Sequence, residues 1–438
     1  MLLHRPHLPA LSRTKDLPVF SALKHRNYRL LWAGNLVSQS GDWMDLIAFN
    51  WLVYSLTGSA LQLAIANALR AVPAIFFTLI GGVLSDRMDR RKLLFSTQLT
   101  MMFFAFALAI MLSFGVENIW LLYAIAFGRG VATSFNQPAR QAMISELVPP
   151  DDLPNAVALN SATVNLSHVI GPAIGGILIA TIGVTGAFYL NAFSFVAVLY
   201  GLILMKFPPQ EIKLRQRRSI LGDLGDGLRY LRQEHGLRML VILALVPMLL
   251  GQPYQTMLAV FAADVFDAGA TGLGLMQSMA AVGAVAGALA VASSRASTNF
   301  HRQMMTGLLF FGGGLALFVL SPSIWVALPI LLAIGFSRQT YQTSNNTLIQ
   351  MNVDPEYRGR VLSVLFLRRG LQPLGTVLAG VLTSAFGPRI AIGSMGAALA
   401  IIAILAMPYA LPALKEMGAH MRGEVVTSDD DSKQTVRA

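Results

Sequence analysis

The sequence predicts an all-α polytopic membrane protein with about twelve transmembrane helices in two six-helix bundles and both termini in the cytoplasm. Three observations lead there. Of its 438 residues, 55% are hydrophobic and only 13% charged, with a mean hydropathy of +0.59; soluble proteins carry roughly 25% charged residues. Apolar runs of about 20 residues, enough to cross about 30 Å of hydrocarbon, recur along the whole chain. The positive charges fall almost entirely in alternate breaks between those runs.

The breaks lie where Gly, Pro and charge accumulate, and they leave spans near 28–54, 60–85, 93–115, 119–145, 155–181, 184–205, 238–262, 271–294, 303–320, 323–350, 360–386 and 388–412. The one long polar break, 206–237, carries Lys213, Arg215, Arg217, Arg218, Arg229 and Arg232. It separates a bundle at 28–205 from a bundle at 238–412, leaving a basic segment at 1–27 and a polar tail at 413–438. One column of breaks holds Arg87, Arg90, Arg91, Lys92, Arg295, Arg302, Arg358 and Arg360 besides the basic ends and centre, whereas the other offers little beyond Arg389. The positive-inside rule therefore predicts a cytoplasmic location for both termini in a bacterial inner membrane. A weak repeat, Val148-Pro149-Pro150-Asp151 after the fourth span and Val353-Asp354-Pro355-Glu356 after the tenth, agrees with two parallel halves.

Several function classes drop out. The net charge of +11 sits between membrane runs, where orientation and anionic lipid account for it without nucleic acid. With no cysteine, disulfides, thiol nucleophiles and thiolate metal sites are excluded. The sequence has no His-Glu-x-x-His, Gly-x-Ser-x-Gly or Gly-x-x-x-x-Gly-Lys element. No enzyme, metal, cofactor, ATP-driven step or obligate protein partner is expected, and a monomer is.

Polar residues inside the spans point to the interior. Asn35, Ser38, Asp42 and Asp45 fall at i, i+3, i+7 and i+10 in the first span. Arg129, Thr133, Asn136 and Arg140 form a stripe in the fourth, and Ser161, Asn165 and His168 lead to Pro172 in the fifth. Arg338, Gln342 and Asn345 repeat the pattern in the tenth, and Arg369, Gln372 and Thr376 in the eleventh. Stripes from both halves imply a shared polar path or pocket, although neutral residues also glue membrane helices together. An ionised Asp42 at its depth costs several kcal/mol unless it is paired, protonated or wet. Asp42 is therefore half of an ion pair with Arg129 or Arg70, a protonation site, or both, with Asp45 an alternative partner for Arg70. His168 titrates near neutral pH or simply packs, and Arg338 is expected near a helix end.

Two elements carry a family resemblance. Gly82-Val83-Leu84-Ser85-Asp86-Arg87-Met88-Asp89-Arg90-Arg91-Lys92 resembles the charged loop after the second helix of major facilitator transporters. Gly171-Pro172-Ala173-Ile174-Gly175-Gly176 is similar to the Gly-Pro element of their exporter branches. Together with Leu31-Trp32-Ala33-Gly34-Asn35, Ser40-Gly41-Asp42-Trp43-Met44 and Asn136-Gln137-Pro138-Ala139-Arg140, these place the resemblance nearest the branch of the enterobactin exporter, the lysophospholipid transporter and macrolide efflux proteins. One departure stands out: the family loop usually has Gly where this chain has Asp89.

The resemblance implies two bundles rocking about a midplane site, with Gly82, Asp86, Arg87, Arg90 and Arg91 as a cytoplasmic latch. It implies proton coupling through Asp42 and Arg129, with Asp45 and His168 as further candidates. The implied activity is proton-coupled export of a hydrophobic or amphipathic small molecule such as a drug, siderophore or other metabolite. A lysophospholipid flippase and a nutrient importer are the alternatives. Asn35, Ser38, Asn136, Arg140, Asn165, Gln342, Asn345 and Gln372 are the candidate lining of the path.

Overall fold

The computed structural model describes residues 20–205, 229–232, 234–294, 299–353, 357 and 367–421, and every regular element among them is helical. The side chains of Asp86, Arg87, Arg368 and Arg369 are among those it leaves undescribed. The helices are α1 (Arg26–Thr57), α2 (Ala60–Arg87), α3 (Arg90–Ser113), α4 (Ile119–Leu147) and α5 (Leu153–Leu204). They continue as α6 (His235–Leu250), α7 (Tyr254–Val260), α8 (Gly269–Ala292), α9 (Phe300–Phe318), α10 (Ile324–Asn352), α11 (Leu367–Phe386) and α12 (Pro388–Met421).

Helices and membrane crossings do not map one to one. The 52-residue α5 breaks at Gly183, whose φ of 76° and ψ of 170° lie where only glycine is comfortable. The chain turns back there, so α5 makes two antiparallel crossings. Conversely α6, the Gly251–Pro253 break, α7 and a π turn at Phe261–Val265 make a single crossing. The two adjustments cancel, and twelve crossings remain among the described residues. Among the described residues, seven helical segments are long and apolar enough to span a membrane by composition alone. Helices α1 and α4 are not among them, because the polar stripes on these helices lower their hydropathy.

The crossings pack as two groups with matching plans. In the first half α1 lies on α5, α2 on α4, and α3 on α4 and α5; in the second, α8 lies on α10, and α9 on α10 and α12. The halves join through two main seams, α2 on α11 and α5 on α8. One face of the bundle holds the start of α1, the α2–α3 turn and the α4–α5 turn, and its arginines make it the basic face. The far face holds the α1–α2 turn and the π turn.

Local chemistry fastens the basic face. His25 Nε2 contacts the Asp152 carboxylate at 2.7 Å, and the Ala22 amide donates to Asn155 at 3.0 Å. These bonds hold the chain before α1 over the start of α5. The hydrogen bond from His25 keeps the Asp152 carboxyl below its ordinary range. Arg90 pairs with Glu146 on α4, while Arg91 donates to the Leu202 and Ile203 carbonyls at 2.8 and 3.0 Å. Both arginines thus tie the start of α3 to other ends of the first half.

Asp89 has a local role. Its carboxylate accepts the amides of Arg91 at 2.9 Å and Lys92 at 3.3 Å, so it caps α3. An acid at a helix N-terminus also meets the positive end of the helix dipole. Asp89→Ala should lower stability by about 1 kcal/mol, and Asp89→Gly by only a few tenths of that. Thermal unfolding of the two variants in detergent checks the order, and equal losses would remove the capping account.

A candidate transport site

The site begins with how closely α1 can approach its neighbours. A methyl group on Gly171 would stand 2.5 Å from Trp43 Cβ, and one on Gly175 would stand 3.1 Å from Met44 Cα. These glycines therefore press α5 against α1 beside Asp42. On the opposite side, a methyl on Gly176 would meet the Ala270 carbonyl oxygen at 2.8 Å, and one on Gly274 the Pro172 oxygen at 2.5 Å. The Gly-Pro element is wedged between α1 of its own half and α8 of the other, the close approach that small residues permit. Thr271 and Ser278 donate to the Gly176 and Val169 carbonyls across the same seam, at 3.3 and 2.9 Å.

That packing separates two carboxylates that share a stripe. Asp45 is fully buried: it receives Arg129 Nη1 at 2.6 Å and Asn191 Nδ2 at 3.0 Å, with Arg70 Nη1 at 3.7 Å. One acid thereby joins α1, α2, α4 and α5. Asp42 has none of these partners; its Oδ1 is buried without a hydrogen bond, and its side chain lines a cavity of about 370 Å³. Arg129 thus pairs with Asp45 and not with Asp42. Trp43, Arg70, Thr133, Gln137 and Arg140 line the cavity with Asp42, whose volume suits a small organic ligand. Arg140 is held by Asn136, which accepts from Nη2 at 2.9 Å and donates to Thr97 at 2.9 Å.

The remaining expected residues are more dispersed. His168 stacks on Trp43 with ring centroids 4.0 Å apart. Asn35 and Ser38 are buried along α1, and Asn165 is exposed on α5. Asn345 donates to the Leu240 carbonyl at 3.0 Å, a bond between α10 and α6. Gln342 is half-buried, and Gln372 is exposed on α11. Arg338 lies midway along α10, away from either end, because that helix runs from Ile324 to Asn352. Of the latch candidates, Gly82 and the side chains of Asp86 and Arg87 lie outside the described residues.

Sequence reasoning missed Asn191 altogether. It lies in an apolar run with only Ser194, three residues on, as a polar companion, and that hydroxyl turns back to the Asn191 carbonyl at 2.7 Å. Trp43 and Gln137 stood only within motifs that carry the family resemblance, since nothing in their spacing separates cavity lining from lipid contact. At the far face the Tyr54 hydroxyl donates to Asp264 of the π turn, a further contact between the halves.

Comparison with known proteins places this architecture. The family model described as transmembrane secretion effector matches residues 18–432. The staphyloferrin A transporter of Staphylococcus aureus is 27% identical over 354 residues, covering 79% of this chain and 87% of that protein. The multidrug efflux pump Tap of Mycolicibacterium fortuitum is 27% identical over 396 residues, covering 87% and 95%. Among solved structures, the nucleoside transporter NupG superposes with a TM-score of 0.72 at 12% identity, covering 87% of this chain and 98% of that one, which is a likeness of fold.

Proposed function

The chain belongs to the transmembrane secretion effector family, an efflux branch of the major facilitator transporters and a group of multi-pass bacterial inner-membrane proteins, and from that premise we propose that it exports a hydrophobic or amphipathic small molecule in exchange for protons. The observation that carries this reading is Asp42, a carboxylate midway through the first crossing with no ion-pair partner among the described residues and a cavity beside it. A carboxylate so placed takes up a proton where the site faces a proton-rich side and releases it where it faces the other. Asp45 and Arg129 pair with each other and hold the helices around it. The relatives named for a siderophore and for many drugs support a small organic cargo.

Alternating access supplies the mechanism. With the basic face in the cytoplasm, as the positive-inside rule has it, the halves meet at the outer face through Tyr54–Asp264 and the Gly176–Gly274 contact. The cavity then lies on the loading side of an exporter, where Gln137, Arg140 and Asn160 continue it toward the cytoplasm. Asp86 with Arg90 would latch the cytoplasmic ends in the opposite state. The test is reconstitution of wild type and Asp42→Asn in liposomes, with uptake of a panel of amphipathic dyes driven by a pH gradient. Wild type should take up at least one dye about a hundredfold or more faster than the variant, the lower end of the scale on which a positioned proton-transfer group acts. Equal gradient-driven uptake would remove Asp42 as the coupling site.

A further inference from the structure

The second half holds a buried cation with no ion-pair partner among the described residues. Arg338 is 9% exposed; its Nη1 donates to the Gln252 side-chain oxygen at 3.2 Å, and its Nε has no hydrogen-bond partner. None of the ion pairs among the described residues includes it. The reason is visible in the sequence: from Arg238 to Val353 the only acids are Asp264 and Asp267, and from Tyr357 to Lys415 there is none. Both aspartates lie at the far face, where Asp264 already takes the Tyr54 hydroxyl.

A guanidinium at mid-membrane depth is costly unless it faces water, a counter-charge or a ligand. One neutral hydrogen bond does not offset that cost, and an apolar side chain would pack there with less strain on stability. Gln252 stands in the break between α6 and α7, the irregular backbone that is tolerated at this depth only against protein or a wet cavity. Gln342, one turn on, shares the Arg338 face of α10. The site looks toward the first half, since α8 packs between α10 and α5. Gln277 donates to the Gln255 carbonyl beside the α6–α7 break at 3.2 Å, and Ser278 to the Val169 carbonyl next to His168 at 2.9 Å. The Trp43 ring beneath His168 forms part of the Asp42 cavity wall. That half is also over-supplied with cations, having Arg70, Arg129 and Arg140 against Asp42 and Asp45.

We propose that the cargo is an organic anion: Arg338 with Gln252 binds its carboxylate, sulfonate or phosphate group, and the Trp43–His168 stack receives its apolar body. The inference rests on the export reading and names the class of molecule exported. Two sources share this chemistry, a soluble amphipathic anion and an anionic lipid headgroup.

The experiment compares naphthoate, neutral naphthamide and cationic naphthylmethylamine as probes, by equilibrium binding to the full chain in phosphatidylcholine nanodiscs. Wild type should prefer naphthoate by about tenfold or more, the range of a charge-assisted hydrogen bond. Arg338→Gln should abolish the preference, and Arg338→Lys should restore part of it. Because the arginine is unpaired, Arg338→Gln without probe should unfold no earlier than wild type, which keeps the comparison interpretable. Phosphatidylglycerol that displaces naphthoate from wild type identifies the lipid source, and failure to displace it identifies the soluble one. Absence of an anion preference in wild type, or its survival in Arg338→Gln, overturns the proposal. Asp42→Asn separates the two readings: lost gradient-driven uptake with the anion preference intact supports both, lost uptake with no anion preference in wild type sinks the anion alone, and intact uptake with the preference kept sinks the coupling role of Asp42 alone.

Discussion

Asp45→Asn is expected to destabilise the protein by about 3–5 kcal/mol, whereas Asp42→Asn, three residues away, should change stability by about 1 kcal/mol or less. Asparagine keeps the shape of both side chains and removes only the charge. At position 45 the loss leaves Arg129, which is 2% exposed, without the carboxylate that holds it at 2.6 Å, and Arg70 without its partner at 3.7 Å. An uncompensated buried charge is the most damaging outcome of cutting an ion pair. At position 42 no pair is cut, because the carboxylate faces the cavity unpartnered. Thermal unfolding in detergent, followed by tryptophan fluorescence, reads the difference. Adding Arg129→Gln to Asp45→Asn should recover part of the loss, giving a coupling energy that the single variants cannot. If Asp42→Asn melts as early as Asp45→Asn, the division of roles between the two carboxylates fails.

The same pair shows how far the sequence could be read. Residues three apart on a helix lie on one stripe, so spacing put Asp42 and Asp45 on a common face and left either free to meet Arg129 or Arg70. What decides between them is the rotation of α1 against α4 and α5. Contacts far away in sequence set that rotation, such as Gly171 on Trp43 and Gly175 on Met44. The element order was legible because length and hydropathy are local properties, and the Gly183 break was anticipated by the boundary between spans at 181 and 184. Asn345 illustrates the limit. Periodicity placed it on a stripe with Arg338 and Gln342, yet its amide serves the Leu240 carbonyl of α6. Spacing identifies a polar face but not what that face meets. Asp89 shows the converse, since a departure from the family loop proves to be an ordinary helix cap.

Gly274→Leu should hold the outer ends of the two halves apart. Any Cβ at this position stands 2.5 Å from the Pro172 oxygen and 3.0 Å from Gly176 Cα, both backbone atoms of the other half that no side-chain rotation can move. The strain is confined to the arrangement in which α5 and α8 touch, so it penalises one state and not the folding of either half. Overpacking of about 1–3 kcal/mol carried by that state alone shifts the ratio of open to closed outer faces by about 5- to 150-fold. The chain has no native cysteine, so spin labels at Glu117→Cys and Pro322→Cys, exposed turns in the two halves at the far face, report the opening directly. The label separation should lengthen in Gly274→Leu and stay at the wild-type value in Gly313→Leu, where nothing lies within 4 Å of a new Cβ. A wild-type separation in both would mean that the Gly-Pro seam does not set outer closure. Alternating access would then have to turn on the α2–α11 seam, where Gly380 meets Ala60 and Ala64.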